Sequence, residues 1–158
     1  MAQTDQATAW LARVRKPKME LTFELGRQVL QQQAFSRLLG AELTRLDSGC
    51  AELQVELRPE LLQQNGFAHG GVVCYLADNS LTYAGGLALG TAVVTSEFKI
   101  NYVRPAIGQR ALARASVVHA GKRQAVCRCD VFVVDDGGEK LVATALGTIA
   151  VAGTKSSA

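Results

Sequence analysis

The spacing of hydrophobic and polar residues divides the chain into helical and extended segments. From Glu20 to Leu39 apolar residues return at a helical spacing, which predicts a helix that stops at Gly40. Two strands are predicted next, Ala41–Leu46 and Cys50–Leu57, joined by a short turn at 47–49. The second strand alternates apolar and polar residues, so we expect one of its faces to be buried.

A glycine-containing loop then leads into a second helix. The loop reads Gln63-Gln64-Asn65-Gly66-Phe67-Ala68-His69-Gly70-Gly71, and the predicted helix begins at its paired glycines. A second glycine pair, Gly85-Gly86, predicts the end of this helix. The segment between the two pairs is apolar on nearly every side, and such a helix cannot lie on a surface. We therefore expect a sheet to cover it.

The C-terminal half is predicted to consist of strands and turns. Glycine and proline separate four strands, which we expect to form an antiparallel meander or an arrangement near it: Thr91–Arg104, Arg110–His119, Gln124–Val134 and Lys140–Ala152. The chain thus divides into an N-terminal helical extension (1–33), one α+β domain (34–152) and a frayed tail (153–158).

Composition narrows the class of protein. The chain is 48% hydrophobic and 20% charged with a net charge of +3, which is typical of a soluble globular domain and gives no reason to expect a nucleic-acid partner. Without a long apolar run or a signal-peptide pattern, we expect a cytoplasmic protein with no membrane partner. The cysteines are expected to be reduced thiols, and Cys127-x-Cys129 has no second pair with which to hold a metal.

Asp78 is the residue that most strongly indicates chemistry. It lies within the apolar second helix, where an unpaired carboxylate would cost several kcal/mol or more. The helix start at Gly70-Gly71 offers backbone N–H groups with a partial positive charge. This combination predicts an electrophile held at the glycines and attacked near the carboxylate. The alternative is a structural Asp78 that holds a neighbouring loop by hydrogen bonds.

The distance between these two groups predicts a shared site. Gly70 and Asp78 are eight residues apart, or about 12 Å along a helix. A carbonyl held by the Gly70 N–H cannot also lie about 3 Å from the same chain's carboxylate. If both groups serve one substrate, two copies must contribute, and we expect a symmetric dimer in which strands around Thr95–Val103 pair across the two-fold axis. A structural Asp78 would remove this inference.

Three features together resemble a known family. They are the His69-Gly70-Gly71 helix start, Asp78 nine residues after the histidine, and the segment Phe98-Lys99-Ile100-Asn101-Tyr102-Val103-Arg104-Pro105-Ala106. This part of the chain, about Phe35 to Val151, is similar to the hotdog-fold acyl-CoA thioesterases of the PaaI-like, phenylacetate-pathway type. The resemblance implies an antiparallel sheet wrapped around a long helix, hydrolysis of acyl-CoA or aryl-acyl-CoA thioesters, a homodimer or homotetramer, and no cofactor apart from the CoA of the substrate.

The resemblance also implies roles for individual residues. The catalytic acid falls on Asp78, either as a general base on water or as a nucleophile that forms an anhydride, and the sequence does not separate these routes. The oxyanion-binding backbone N–H falls on Gly70, and the polar amide six residues before the histidine falls on Gln63. Asn65 is the alternative amide if the loop register is shifted. The water-positioning hydroxyl falls on Thr82 in one branch of the family and on Thr95 in another, and the sequence leaves this open.

Other residues have weaker assignments. His69 is expected to orient the glycine loop, and Gly71 either contacts substrate or only makes a tight helix entry. Arg104, Lys122 and Arg123 are candidate contacts for the CoA phosphates, although solvated charges at strand ends are the commoner explanation for such residues.

Two rival functions follow from the same residues. An acyl-thioester hydratase or dehydratase would need a productive histidine–acid pair, and only His69 could supply the imidazole. A non-catalytic acyl-CoA sensor would usually carry a DNA-binding module, and the first forty residues are too short and lack the helix-turn-helix pattern.

Overall fold

The computed structural model describes residues 21–153. The first twenty residues of the predicted N-terminal extension, and the tail from residue 154, lie outside this range. The elements are helices α1 (Phe23–Gln32), α2 (Ala34–Leu39) and α3 (Gly70–Leu89), a 3-10 turn (Pro59–Leu61), and strands β1 (Glu42–Asp47), β2 (Cys50–Glu56), β3 (Val93–Tyr102), β4 (Arg110–Ala120), β5 (Gln124–Asp135) and β6 (Gly138–Val151). Over the described range, no helix has the length and hydropathy that a membrane span requires.

Six antiparallel strands form one sheet in the order β1-β2-β4-β5-β6-β3. The expected meander holds for β4, β5 and β6, whereas β3 lies at the far edge beside β6. Helix α3 packs against the sheet, and the inward residues of β5 alternate along the strand, all of them buried: Ala125, Cys127, Cys129, Val131 and Val133. The expected sheet around an apolar central helix is therefore confirmed.

The predicted N-terminal helix is wrong in one respect, because it is two helices. The backbone of Gln33 is extended, and its side-chain oxygen accepts hydrogen bonds from Ser36 at 2.6 Å and from Asn79 of α3 at 3.2 Å. These contacts turn the chain at Gln33, where neither glycine nor proline signals a break. The end at Gly40 is confirmed, since this glycine adopts a left-handed conformation with φ of 72°.

Helix α1 joins the domain core on the N-terminal side of the predicted boundary at residue 33. Leu30 is buried among the core residues. A Cβ at Gly26 would lie 2.9 Å from both Leu43 and Leu46 of β1, and the hydroxyl of Tyr83 donates to the Gly26 carbonyl at 2.9 Å. The part of the extension that the structure describes thus covers β1 and one side of α3.

The predicted end of α3 at Gly85-Gly86 is also wrong. The helix continues to Leu89, and Gly90 ends it in a left-handed conformation with φ of 62°. Gly85 and Gly86 are buried within the helix, and a Cβ at Gly85 would lie 2.5 Å from the Cβ of Ile149 on β6. The absence of a side chain at Gly85 therefore lets α3 approach the sheet closely.

Substitution of this glycine pair tests the close approach. We expect Gly85→Ala to destabilise the protein by about 1–3 kcal/mol or more, because the new methyl overlaps a β-branched side chain on a packed strand. Gly86→Ala is the matched control: its Cβ would lie 3.3 Å from Val93, and its higher helix propensity offsets about 1 kcal/mol. Thermal unfolding of both variants measures the difference. Equal melting temperatures would show that α3 does not need Gly85 to reach β6.

Candidate active site

The glycine loop folds back on itself and places His69 at the start of α3. Leu62 forms a bridge with Ala68, and the His69 N–H donates to the Leu61 carbonyl at 2.8 Å. The turn closes through a hydrogen bond of 2.9 Å from the Gly66 N–H to the Gln63 carbonyl, and Gly66 has φ of 80°. This positive φ favours glycine at the turn.

His69 caps α3 and leaves one backbone donor open. Its Nδ1 accepts from the Gly71 N–H at 2.9 Å, and its carbonyl accepts from the Val72 N–H at 2.9 Å. Among residues 21–153, nothing accepts a hydrogen bond from the Gly70 N–H. Of the two glycines, Gly70 therefore has the N–H that a ligand can use, while that of Gly71 is bound to the cap.

Asp78 belongs to a three-residue network with both candidate threonines. Its Oδ1 accepts from the Thr95 hydroxyl at 2.6 Å. The Thr82 hydroxyl lies 2.8 Å from that of Thr95 and donates to the backbone carbonyl of Asp78 at 2.9 Å. The carboxylate is half-buried, so this partner lowers the cost of its burial. Thr95 contacts the carboxylate itself, and Thr82 acts on it through Thr95.

A β-bulge directs Thr95 toward the helix. The pairing of β3 with β6 shifts register between Thr95 and Glu97, so Ser96 is an extra residue on β3. Residues three apart, Thr95 and Phe98, are consequently both half-buried on the helix side of β3. Without the bulge, strict alternation would put them on opposite faces.

The candidate site residues of α3 lie in one stripe along the helix, together with Cys74. Gly70, Cys74, Asp78 and Thr82 follow one another at four-residue intervals, which places them on one face. Strand β3 runs beside this stripe: the Tyr102 hydroxyl donates to the Gly70 carbonyl at 3.0 Å, and Thr95 bonds to Asp78 near the other end. Within one chain, the Gly70 amide and the Asp78 carboxylate are thus about two helical turns apart.

A cavity of about 500 Å³ opens beside Gly70. Its wall is mainly apolar, with one cation at the rim, and consists of Phe67, Ala68, Gly70, Val73, Tyr102, Val103, Arg104, Pro105, Ala106 and Val142. The guanidinium of Arg104 donates to the Leu141 carbonyl at 2.8 Å, which holds it in place. The cavity can accept an apolar group whose polar end reaches the Gly70 N–H.

The two loop amides bond to each other. The Asn65 side chain donates to Oε1 of Gln63 at 3.2 Å. Because its side-chain oxygen is occupied, Gln63 has its NH₂ group left to donate. Asn65, which is the more exposed of the two residues, holds the Gln63 side chain through this bond. In the described residues, neither amide makes a hydrogen bond to His69 or Gly70.

Lys122 and Arg123 lie far from Gly70 in the same chain. They occupy the exposed turn between β4 and β5, and the Arg123 carbonyl accepts from the Val151 N–H at 2.9 Å. Val151 pairs with Val93 at the beginning of β3, while Tyr102 beside Gly70 is at its end. The length of β3, about 30 Å at its residue count, separates the two regions.

A polar cluster beside Asp78 was not predicted from the sequence. The Tyr75 hydroxyl donates to Ser36 at 2.7 Å, and the Asn79 amide donates to Tyr75 at 3.0 Å and to Gln33 at 3.2 Å. Burial raises the pKa of Tyr75, so its hydroxyl keeps its proton. The cluster fastens α2 to α3 next to the acid. Its one sequence signal is the pair Tyr75 and Asn79 at four-residue spacing in an apolar helix.

Comparison with known proteins identifies the family of the chain. Residues 65–140 match the Thioesterase superfamily. The acyl-coenzyme A thioesterase PaaI of Escherichia coli is 31% identical over 61% of this chain and 69% of its own, and its structure covers 80% of this chain and 89% of that one with a TM-score of 0.70. A thioesterase family protein from Silicibacter pomeroyi is 33% identical, with a TM-score of 0.76 over 84% of this chain and 100% of that one.

A medium/long-chain acyl-CoA thioesterase of Salmonella typhimurium, YigI, is 25% identical over 70% of this chain and 83% of its own. With these relatives and this sheet around α3, the chain belongs to the Thioesterase superfamily and has the hotdog fold of the PaaI-like type. It is a thioester hydrolase.

The open amide can be removed without changing any other side chain. Gly70 is the first residue of α3, where proline is well tolerated, and the backbone of His69 (φ −58°, ψ 135°) suits a residue before proline. We expect Gly70→Pro to fold but to lower kcat by about 10²–10³, the typical effect of losing one oxyanion donor. Gly70→Ala keeps the N–H, and its Cβ would lie 3.7 Å from the Tyr102 ring. Steady-state kinetics of both variants measure the difference. An equal loss of kcat in Gly70→Pro and Gly70→Ala would show that turnover does not depend on the Gly70 N–H.

Proposed function

We propose that this protein hydrolyses acyl-CoA thioesters to a free acid and CoA. The observation that carries the proposal is the Gly70 N–H at the N-terminus of α3, which donates to no group of residues 21–153 and belongs to a residue that lines an apolar cavity. The same helix also bears Asp78. The donor suits the thioester carbonyl and the cavity suits the apolar part of the substrate. The names of the E. coli and S. typhimurium relatives, both acyl-CoA thioesterases, support the same substrate class.

The edge strand β3 supports a dimer as the active form. In residues 21–153 its outer edge pairs with no other strand, and a ten-residue unpaired edge is normally covered. Antiparallel pairing of β3 with its copy across a two-fold axis would place the Tyr102 end of one strand beside the Val93 end of the other. Because Tyr102 marks the position of Gly70 and Thr95 that of Asp78, Gly70 would approach Asp78 of the partner subunit.

The proposed reaction begins with the thioester carbonyl bound at Gly70. The N–H and the positive end of the α3 dipole stabilise negative charge on the carbonyl oxygen, and the free NH₂ of Gln63 supplies a second donor. Asp78 of the partner subunit removes a proton from a water molecule while the oxygen of that water bonds to the carbonyl carbon. The carbon–sulfur bond then breaks, CoA leaves as a thiolate and takes up a proton, and the acid is released.

The threonine network supports Asp78 as a proton acceptor. Three contacts join Asp78, Thr95 and Thr82, but the two hydroxyls have only two protons to donate. When Asp78 takes a third proton, it can donate to Thr95, Thr95 to Thr82, and Thr82 to the Asp78 backbone carbonyl. All three contacts are then hydrogen bonds, so the network accommodates the protonated acid as well as the carboxylate.

Three cations are suited to the phosphates of CoA. Arg104 lines the cavity. The partner's Lys122 and the partner's Arg123 adjoin the beginning of the partner's β3, which in the proposed dimer lies beside the Tyr102 end of this chain's β3 and so near the same cavity. No carboxylate of residues 21–153 forms a salt bridge with any of the three. Their charges are therefore available to an anionic ligand.

The arrangement of His69 weakens the hydratase alternative. Its Nδ1 is used to accept from Gly71, so the neutral ring has its proton on Nε2 and lacks a free basic nitrogen. Abstraction of a proton by His69 would require loss of the helix cap. The second histidine of the chain, His119, is exposed on β4 and is not part of the site.

Replacement of the acid tests the proposal. Asp78→Asn keeps the shape of the side chain but removes the base, so we expect CoA release to fall at least about a hundredfold. Because a half-buried carboxylate becomes neutral, the melting temperature should hold or rise. Thiol release from short, medium, long and aromatic acyl-CoAs and thermal unfolding are measured on the same preparation.

Asp130→Asn is a matched control. Asp130 also accepts a hydrogen bond of 2.6 Å from a threonine hydroxyl, that of Thr144. It lies on the face of β5 opposite the buried residues, and therefore on the side of the sheet away from α3. Full activity is expected for this variant. A stable Asp78→Asn protein with ordinary turnover would contradict the proposed role of Asp78, and a wild-type protein inactive on every acyl-CoA would contradict the substrate class.

A further inference from the structure

Tyr102 makes a contact that none of the assigned roles uses. Its hydroxyl donates to the carbonyl of Gly70 at 3.0 Å, and its ring lies 3.7 Å from the position of a Gly70 Cβ. The residue is 53% exposed, so packing against a core does not explain the orientation of its side chain. It forms one wall of the cavity, between Gly70 and Arg104.

The Gly70–Gly71 peptide is thereby held at both ends. The Tyr102 hydroxyl binds its carbonyl, and Nδ1 of His69 accepts from its N–H at 2.9 Å. Glycines have wide backbone freedom, so two consecutive glycines at a helix start would otherwise be a mobile site for a donor. The neighbouring peptide, which carries the Gly70 N–H, is joined to this fixed one through the Gly70 Cα. Fixing one peptide limits the direction of the open N–H on the other.

The hydroxyl remains a donor under ordinary conditions. Burial, together with the neighbouring Cys74 thiol, raises the pKa of Tyr102, so the phenol keeps its proton at neutral pH. Its strand is also well anchored, since β3 pairs with β6 along its length and bonds to Asp78 through Thr95. The hydroxyl therefore ties the first turn of α3 to a rigid strand.

We propose that Tyr102 is a positioning residue for the oxyanion-binding amide, acting through the Gly70 carbonyl together with the His69 cap. This rests on the proposed function of Gly70. A preorganised donor stabilises developing charge without reorganisation during the reaction, and a loosely held donor loses part of that effect. The hydroxyl of Tyr102 thus contributes to turnover more than to substrate affinity.

The test compares two tyrosine variants that each remove one hydroxyl bound to a glycine carbonyl. Tyr102→Phe removes the bond to Gly70, and Tyr83→Phe removes the 2.9 Å bond to Gly26, which lies on α1 outside the site. With octanoyl-CoA and phenylacetyl-CoA as substrates, we expect Tyr102→Phe to lower kcat about tenfold and to change KM less than about twofold. Tyr83→Phe should lower the melting temperature and leave kcat unchanged.

A second measurement does not depend on activity. In protein labelled with ¹⁵N-glycine, amide hydrogen exchange at Gly71 should accelerate severalfold in Tyr102→Phe. Without the Tyr102 hydroxyl, the Gly70–Gly71 peptide loses one of its two hydrogen bonds and opens more often. Exchange at Gly71 should not change in Tyr83→Phe. Unchanged exchange at Gly71, or unchanged kcat in an enzyme that turns over these substrates, would overturn the proposal. If exchange accelerates but the wild-type protein hydrolyses no acyl-CoA, short, medium, long or aromatic, the Tyr102 contact still holds the Gly70–Gly71 peptide, while the proposed function and the oxyanion role that rests on it fail.

Discussion

The site depends on how closely α3 packs into the sheet. At two points a glycine takes the place of a side chain in this contact: Gly85 on α3 faces Ile149, and Gly147 on β6 faces Phe98 of β3 and Leu81 of α3. A Cβ at Gly147 would lie 2.6 Å from that of Phe98 and 3.2 Å from Leu81. Such contacts fix a helix on a sheet because close-packed interiors resist small displacements. The stripe of α3 that bears the candidate site residues is consequently held in a fixed position against β3.

Strand β3 then connects the functional groups. Its end binds the Gly70 carbonyl through Tyr102, and its beginning binds the Asp78 carboxylate through Thr95. The same strand forms an edge of the sheet, and our proposal makes that edge the dimer interface. A helix and a strand that are rigid within one chain would thus place the amide of one subunit opposite the acid of the other. This arrangement explains why the two groups lie on one helix yet about two turns apart.

Much of this fold follows from local sequence signals. Alternation predicted the buried face of β2, and the glycine pair after His69 predicted the start of α3. The errors occur where one signal has two physical meanings. Gly85-Gly86 could end a helix or allow close packing, and only the position of Ile149 on β6 decides between them. The break at Gln33 depends on a partner on α3, which the local sequence does not contain.

The sequence indicates the residues of the candidate site but not the contacts between them. It shows a carboxylate, Asp78, within an apolar segment and a helix start at His69 and Gly70. The choice between Thr82 and Thr95 could not be made from spacing, because the bulge at Ser96 sets which β3 residues face the helix. Tyr102 belonged to the recognised motif, but its contact with Gly70 requires knowing that β3 lies along α3.

Subunit complementation tests the shared site most directly. Asp78→Asn and Gly70→Pro chains, each inactive alone, are given different affinity tags, unfolded and refolded together, and the mixed dimers are counted. In a statistical mixture half the dimers are mixed, and each of these has one site with an intact amide and an intact acid. If the site is shared between subunits, about one quarter of wild-type activity is recovered. If mixed dimers form but remain as inactive as the parents, the amide and the acid do not meet across the interface.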